Sequence, residues 1–168
     1  MRSVMAESAR ISRGQVSDLA TIDAKEFDAI LVPGGFGAAK NLSSFGFKGE
    51  DMIVQPDVEK ALKQFHSSHK VIGLTCIAPI VAARVFGTKF GGPGLTLTLG
   101  KTGTNWPYNG SIDVATKFGN TLSTNIDVEG VCVDTANKVY TTPAYMREDA
   151  KPNEVFEGID NMVKLIAK

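Results

Sequence analysis

The sequence has little of what stabilises small secreted domains, builds metal centres or spans membranes. Its 168 residues contain two cysteines, Cys76 and Cys132, and two histidines, His66 and His69. Two cysteines cannot form a disulfide framework, and two histidines give few ligands for a metal ion. No run approaches the roughly 18 consecutive apolar residues of a membrane-spanning helix. We therefore expect a protein of a reducing compartment that does not insert into a membrane.

The chain also lacks an excess of either charge. Eighteen Lys and Arg residues balance eighteen Asp and Glu residues, and no block of like charge occurs. Nucleic acids and anionic membranes are bound through basic surfaces, so neither is an expected partner. Hydrophobic residues make up 43% of the chain, which is enough to give residues 1–168 a single domain with a substantial core.

The apolar pattern predicts strands that alternate with helices. Continuous apolar runs at 29–32 and 71–74 indicate strands that are buried on both faces of a parallel sheet. Alternation at 95–99 predicts a strand that continues this sheet, and residues 131–133 and 139–141 indicate a strand pair. Helical spacing predicts helices at 4–11, 57–65, 77–85, 112–118 and 155–166. One α/β domain with a mainly parallel sheet is the expected architecture.

A cysteine stands where a predicted buried strand meets a predicted helix. Residues 73–79 read GLTCIAP, so Cys76 follows the strand directly. A sharp strand-to-helix turn lifts such a side chain above the carboxyl edge of the sheet, where backbone N–H groups face a developing oxyanion. The helix N-terminus also favours the thiolate. Cys76 is therefore a candidate nucleophile, with an ordinary core cysteine as the alternative.

The preceding strand ends in two glycines. Gly34 and Gly35 follow Pro33, and glycine lets a backbone approach a ligand closely. Ligands of open α/β sheets bind beyond the carboxyl ends of neighbouring strands. If the strands at 29–32 and 71–74 are neighbours, the N–H groups after Pro33 face Cys76 across the crevice. An ordinary strand-to-loop turn is the alternative.

Other residues that suggest cofactors are better explained by structure. His66 and His69 fall at the end of the helix at 57–65, where imidazole contacts the last carbonyls. Gly94 stands one position too early to form a phosphate loop with residues 100–102. Cys132 alternates with valines and is interpreted as a strand residue. We therefore expect neither a metal nor an organic cofactor.

The glycines and Cys76 lie within longer motifs. These read RSVMAESARI at 2–11, VPGGFGAAKNLS at 32–43, GLTCIAP at 73–79 and TTPAYM at 141–146. Together they resemble the ElbB-type branch of the class I glutamine-amidotransferase-like superfamily, which also holds PfpI-type proteases and the Parkinson-associated glyoxalase/deglycase. The insert NWPYNG at 105–110 resembles the eukaryotic members. This implies a location in the mitochondrial matrix for a eukaryotic protein and in the cytoplasm otherwise.

The resemblance implies a flavodoxin-like, three-layer α/β sandwich and a cofactor-independent chemistry. It implies an oxyanion hole of backbone N–H groups near Gly35 and Ile77, with Gly34 beside them. Relatives are glyoxalases or deglycases, so the implied substrate is a small aldehyde such as glyoxal or methylglyoxal, attacked by Cys76 to give a hemithioacetal. Further candidates for the pocket are Asn41, Thr142 and Tyr145, with a simple turn as the alternative for the last two.

One catalytic group of the family has no clear counterpart. The family pairs the elbow cysteine with a Glu from the first strand-to-helix turn, which the resemblance places upstream of the motif at 2–11. We therefore expect the chain to lack the family's first strand and helix. Glu7 is the acidic residue of the opening helix, and we interpret it as a surface or loop-contacting residue before a catalytic one. No histidine follows Cys76 closely, so a Cys-His-Glu triad and glutamine hydrolysis are not expected.

Three functions remain open from these residues. The first is a glyoxalase- or deglycase-like lyase or hydrolase that handles reactive aldehydes. The second is a catalytically idle amidotransferase-like subunit or scaffold, because a shortened sheet exposes an edge that invites a partner or a second copy of the chain. The third is a redox sensor that uses a low-pKa Cys76.

Overall fold

A computed structural model describes residues 3–168 and contains six strands within them. They are β1 (Ala29–Val32), β2 (Val71–Thr75), β3 (Thr96–Leu97), β4 (Thr121–Leu122), β5 (Cys132–Asp134) and β6 (Val139–Thr142). Four of them form one sheet in the order β1-β2-β6-β5. β1 and β6 both run parallel to β2, and β5 runs antiparallel to β6. The predicted mainly parallel sheet and the predicted strand pair are confirmed.

Helices connect these strands. They are α1 (Val4–Ser12), α2 (Gly35–Gly37), α3 (Phe45–Lys48), α4 (Pro56–Ser67), α5 (Pro79–Phe86), α6 (Gly110–Lys117) and α7 (Pro152–Ile166), with a π-helical turn at Ala38–Leu42 and 3₁₀ turns at Leu19–Thr21, Ala24–Glu26, Gly49–Asp51, Thr88–Phe90 and Ala144–Met146. The five predicted helices correspond to α1, α4, α5, α6 and α7. Arg2, the first residue assigned to the motif at 2–11, lies outside the described residues. Within residues 3–168, no helix has both the length and the apolar content needed to cross a bilayer.

Helices cover both faces of the sheet. Ile72 and Leu74 of β2 are fully buried in the cluster that contains residues of α4 and α5. Gly73 points to the opposite face, where an added Cβ would lie 3.1 Å from Ile166 Cδ1 of α7. The sheet therefore lies between α4 and α5 on one side and α7 on the other. This arrangement is the predicted three-layer sandwich.

β1 differs from its prediction as a strand buried on both faces. It lies at the edge of the sheet, and Leu31 is 51% exposed. Leu31 is on the side of α7, but α7 packs on β2 and β6. A continuous apolar run therefore occurs here in an edge strand whose Ile30 and Val32 are half-buried and whose Leu31 is exposed.

The strand predicted at 95–99 is shorter than expected and does not continue the main sheet. β3 pairs with β4, which was not predicted, in a separate two-stranded parallel sheet. The N–H groups of Thr96 and Thr98 donate to the side chains of Asp134 and Thr141, at 2.8 and 2.9 Å. Because side chains of β5 and β6 occupy these donors, β3 lies beside the main sheet without joining its ladder.

α1 packs loosely on the molecule. The Ser3 hydroxyl accepts a hydrogen bond from the Ala6 N–H and caps the helix, which ends before Arg13 in a left-handed conformation. None of the residues of α1 is buried, and its apolar residues Val4, Met5 and Ile11 are exposed. α1 thus presents apolar surface that the described part of the chain does not cover.

Candidate active site

Cys76 lies in a sharp turn between β2 and α5. Its φ of 57° is in the left-handed region, which costs a side-chain-bearing residue about 1–2 kcal/mol. Two hydrogen bonds hold the turn: the Cys76 N–H donates to the Thr142 carbonyl of β6, and the Ala78 N–H donates to the Thr75 carbonyl, each at 3.0 Å. The turn places the Cys76 side chain at the carboxyl end of β2, above the sheet.

The turn after β1 comes very close to this cysteine. β1 and β2 are neighbouring strands, which is the condition under which the N–H groups after Pro33 are expected to face Cys76. Gly34 and Gly35 both have positive φ, 87° and 70°. A Cβ on Gly34 would lie 2.5 Å from the Thr75 carbonyl oxygen and 3.1 Å from Cys76 Cβ, so only glycine fits. The Thr75 hydroxyl donates to the Pro33 carbonyl at 2.6 Å and ties the two turns together.

Two backbone N–H groups point at the Cys76 sulfur. The sulfur accepts hydrogen bonds from the N–H groups of Gly35 and Ile77, which lower the pKa of the thiol. Burial is the larger effect, however, and the net result is a Cys76 pKa above its ordinary value. The thiolate expected from the helix N-terminus is not favoured, because the effect of burial on the thiol outweighs that of the two N–H donors.

Alkylation is expected to distinguish the two cysteines. Cys76 is partly exposed, whereas Cys132 is buried on β5. Iodoacetamide should therefore modify Cys76 first. Because its pKa is raised, the rate should be lower at neutral pH than that of a free cysteine and should still rise above pH of about 8.5, where free cysteine is half ionised. Peptide mapping over a pH series measures both; faster labelling of Cys132, or a rate that levels off near neutrality, would contradict the assignment.

Cys76 opens into a cavity of about 650 Å³. Its walls come from α2 and the π-helical turn, α3, the start of α6 and the turn at Ala144–Met146. The apolar and aromatic residues that line it are Phe36, Ala39, Phe45, Ile77, Pro107, Tyr108, Val114, Tyr145 and Met146. Among the described lining residues, Lys40 alone has a charged side chain, and its ammonium lies 4.7 Å from the ring centroid of Phe36. Such a cavity suits a small organic molecule.

The structure brings some of the sequence-predicted site residues together and separates others. Cys76, Gly35, Ile77 and Tyr145 line the cavity, and Gly34 packs against Cys76. Three other candidates are not among its lining residues: Asn41, Thr142 and Glu7.

Each of these three residues has another structural position. Asn41 is exposed at the π-helical turn. Thr142 is fully buried, and its hydroxyl donates to the Gly130 carbonyl at 2.8 Å. Glu7 lies on α1 and accepts hydrogen bonds from the Arg10 guanidinium at 2.7 and 3.2 Å.

Sequence reasoning missed much of the cavity wall. Phe36 and Lys40 lie in the motif at 32–43, and Tyr108 lies in the insert at 105–110. The family resemblance of these two segments could therefore have indicated them as candidate cavity residues. Phe45 and Val114 carry no such signal, since nothing in the local pattern distinguishes a pocket-facing residue from a core residue.

The histidines lie apart from the cavity. His66 Nε2 is 3.0 Å from Asn137 Oδ1, and the His66 ring packs on Phe86 at a centroid distance of 4.8 Å. His69 is exposed beyond the end of α4. Across residues 3–168, no three side chains of His, Cys, Asp or Glu are grouped so that they could hold a metal ion.

Comparison with known proteins finds similarity over nearly the whole chain. No family model matches. The rat "ES1 protein homolog, mitochondrial" is 44% identical over 98% of this chain. The human "Glutamine amidotransferase-like class 1 domain-containing protein 3, mitochondrial" is also 44% identical over 98% of it. The chain spans 60% of the length of each of these relatives.

A solved structure has the same fold. The crystal structure of an isoprenoid biosynthesis protein with amidotransferase-like domain from Ehrlichia chaffeensis superposes with a TM-score of 0.82 at 28% sequence identity. The match covers 99% of this chain and 70% of that protein. Sequence and structure therefore point to the same group of proteins.

Proposed function

Because the chain belongs to the class I glutamine amidotransferase-like superfamily, we propose that it captures small reactive aldehydes through Cys76, as a glyoxalase- or deglycase-like protein. The observation that carries this proposal is the position of the Cys76 sulfur, which lies between two backbone N–H donors in a cavity of about 650 Å³. A thiol in this setting can add to a carbonyl carbon while the donors receive the negative charge that forms on oxygen.

The proposed chemistry needs no external oxidant. With an α-oxoaldehyde, the sulfur of Cys76 bonds to the aldehyde carbon, the carbonyl electron pair moves to oxygen, and a proton then gives the hemithioacetal. The proton on that carbon moves to the adjacent carbonyl carbon through an enediol, which gives a thioester of a hydroxy acid. Water cleaves the thioester and releases the hydroxy acid and the thiol. In the isomerisation one carbon is oxidised and its neighbour is reduced by the same two electrons, and the one water consumed is the water that cleaves the thioester.

The proton transfer is the demanding step for this cavity. It requires a base, which in general contributes about 10²–10⁴-fold to a rate. No carboxylate is present among the described residues that line the cavity; the phenols of Tyr108 and Tyr145 and the amine of Lys40 are its other ionisable groups. We therefore propose that the protein captures the aldehyde faster than it converts the adduct to the hydroxy acid.

Carbon-13-labelled methylglyoxal tests this division. We expect the NMR signal of the labelled aldehyde carbon to shift to that of a hemithioacetal on the protein, with little lactate formed. Glu7→Gln should leave both results unchanged, because α1 does not line the cavity. A matched change at Glu59, an exposed carboxylate of α4, controls for loss of a surface charge. Rapid lactate formation that disappears in Glu7→Gln would show that Glu7 is the base and would contradict the prediction.

The names of the relatives bear on location. Both the rat and the human proteins are named as mitochondrial. These names support the mitochondrial location that the insert at 105–110 implied.

A second candidate function is a subunit that acts by association. It is favoured by the exposed apolar residues of α1 and by Leu31 on the open edge of β1, which could contact a partner or a second copy of the chain. An assembly in solution together with no hemithioacetal at Cys76 would favour this function. The redox-sensor alternative has less support, because burial raises the pKa of Cys76 whereas such sensors have a low one.

A further inference from the structure

The cavity at Cys76 is much larger than methylglyoxal requires. Methylglyoxal has fewer heavy atoms than benzene, which a closed apolar cavity of about 150 Å³ already accommodates. The cavity here measures about 650 Å³, within the range of about 300–1,000 Å³ found for sites that bind larger organic ligands. Methylglyoxal bound to Cys76 would leave most of this volume filled by water.

The walls of the unused volume are apolar and aromatic. Phe36, Phe45, Val114 and Tyr145 line it, and Phe36 and Tyr145 are 74% and 50% exposed. Rings of this kind bind planar apolar groups by stacking and by removal of surface from water. The part of a substrate that lies beyond the reacting carbonyl is therefore expected to be apolar and flat.

Charge at the cavity has one sign. Lys40 is the charged residue among the described lining side chains, and its ammonium contacts the rings of Phe36 and Phe47 at centroid distances of 4.7 and 5.6 Å. These rings hold the ammonium near the cavity by cation–π interaction. An acidic group on a bound molecule would find its one cationic partner among the described lining side chains in Lys40.

We propose that the preferred carbonyl substrate is an α-oxoaldehyde with an aromatic substituent that carries an acidic group, which fills more of the cavity than methylglyoxal does. This inference rests on the proposed function for the reacting aldehyde, whereas the fit of the aromatic acid rests on the cavity alone. The sulfur of Cys76 adds to the aldehyde carbon of this substrate as it does to that of methylglyoxal, and the aromatic acid occupies the remaining volume of the cavity.

Non-reactive hydroxyketones test the fit separately from the chemistry. Hydroxyacetone, phenacyl alcohol and the para-carboxylate of phenacyl alcohol have an alcohol in place of the aldehyde, so they occupy the cavity without forming a hemithioacetal. The measured quantity is the concentration of each that halves the rate at which iodoacetamide modifies Cys76. We expect phenacyl alcohol to protect at a concentration at least about tenfold lower than hydroxyacetone, because its ring is buried. The carboxylate should lower that concentration by about a further threefold, the usual size of an exposed ion-pair effect.

Two pairs of variants assign these effects to residues. Val114→Phe fills the cavity and should abolish the advantage of phenacyl alcohol, whereas Thr116→Phe, which places the same ring on the exposed side of α6, should retain it. Lys40→Gln should remove the advantage of the carboxylate alone, and Lys40→Arg should keep it. Circular dichroism checks that each variant is folded.

The outcomes separate the two proposals. Equal protection by hydroxyacetone and phenacyl alcohol, or an unchanged advantage in Val114→Phe, would overturn the inference about the substrate. A carboxylate advantage that survives Lys40→Gln would overturn the role of Lys40. Selective protection by the aromatic acid, with no hemithioacetal from either methylglyoxal or phenylglyoxal, would support the fit while contradicting the proposed function.

Discussion

Replacing Cys76 by glycine or by alanine is expected to abolish capture of methylglyoxal, since both variants lack the sulfur that bonds to the aldehyde carbon. The two variants should differ in stability. Alanine keeps the Cβ that makes a φ of 57° unfavourable, whereas glycine relieves it. We therefore expect Cys76→Gly to have a free energy of unfolding about 1 kcal/mol higher than Cys76→Ala, the reverse of the usual order.

Urea unfolding and NMR of labelled methylglyoxal measure the two properties. His69 provides the control for backbone strain, because it has a φ of 53° but is exposed and lies away from the cavity. His69→Gly should likewise be more stable than His69→Ala, with capture intact. Cys132→Ala should retain capture. An alanine variant of Cys76 that is more stable than the glycine variant would show that the turn is not strained.

Gly34→Ala is expected to have the second large effect. Its Cβ would lie 2.5 Å from the Thr75 carbonyl oxygen, a backbone atom that cannot move without shifting β2, and its φ of 87° is itself unfavourable for alanine. We expect a loss of about 3 kcal/mol or more in the free energy of unfolding, together with loss of capture as the turn at Cys76 moves.

Two neighbouring glycines provide matched controls for this variant. Gly35 has a φ of 70° but open space around its Cβ position, so Gly35→Ala should cost only about 1–2 kcal/mol. Gly37 has open space and a helical φ of −60°, so Gly37→Ala should be neutral or slightly stabilising. Similar losses at Gly34 and Gly35 in chemical denaturation would show that the close contact with Thr75 is unimportant.

The sequence allowed the position of Cys76 to be predicted because its determinants are local. A buried apolar run, a cysteine and a second apolar run long enough for a helix indicate a strand, a turn and a helix. Whether β1 and β2 are neighbours stayed open in the sequence, and the structure shows that they pair. The raised pKa of Cys76 did not follow, since burial depends on residues that are remote in sequence.

The cavity wall illustrates the limit of local patterns. Tyr108 and Val114 line the cavity at Cys76 because α6 packs beside α5, and no spacing within residues 105–118 indicates that packing. β3 shows a related limit: its alternation is that of a strand, but the partners of its N–H groups are side chains of Asp134 and Thr141. Alternation predicts which residues share a face of a strand, whereas the hydrogen-bond partners of that strand depend on tertiary structure.

Both hydrogen-bond donors at the Cys76 sulfur belong to the backbone, at Gly35 and Ile77. A missense allele changes a side chain and leaves the N–H in place, with proline as the exception because its ring removes that hydrogen. Few substitutions can therefore remove either donor, even where they change the side chain at that position. Conservation of this site over evolution therefore depends on two side-chain identities, Gly34, which permits the turn, and Cys76. The two hydrogen-bond donors are backbone N–H groups, which every residue except proline provides.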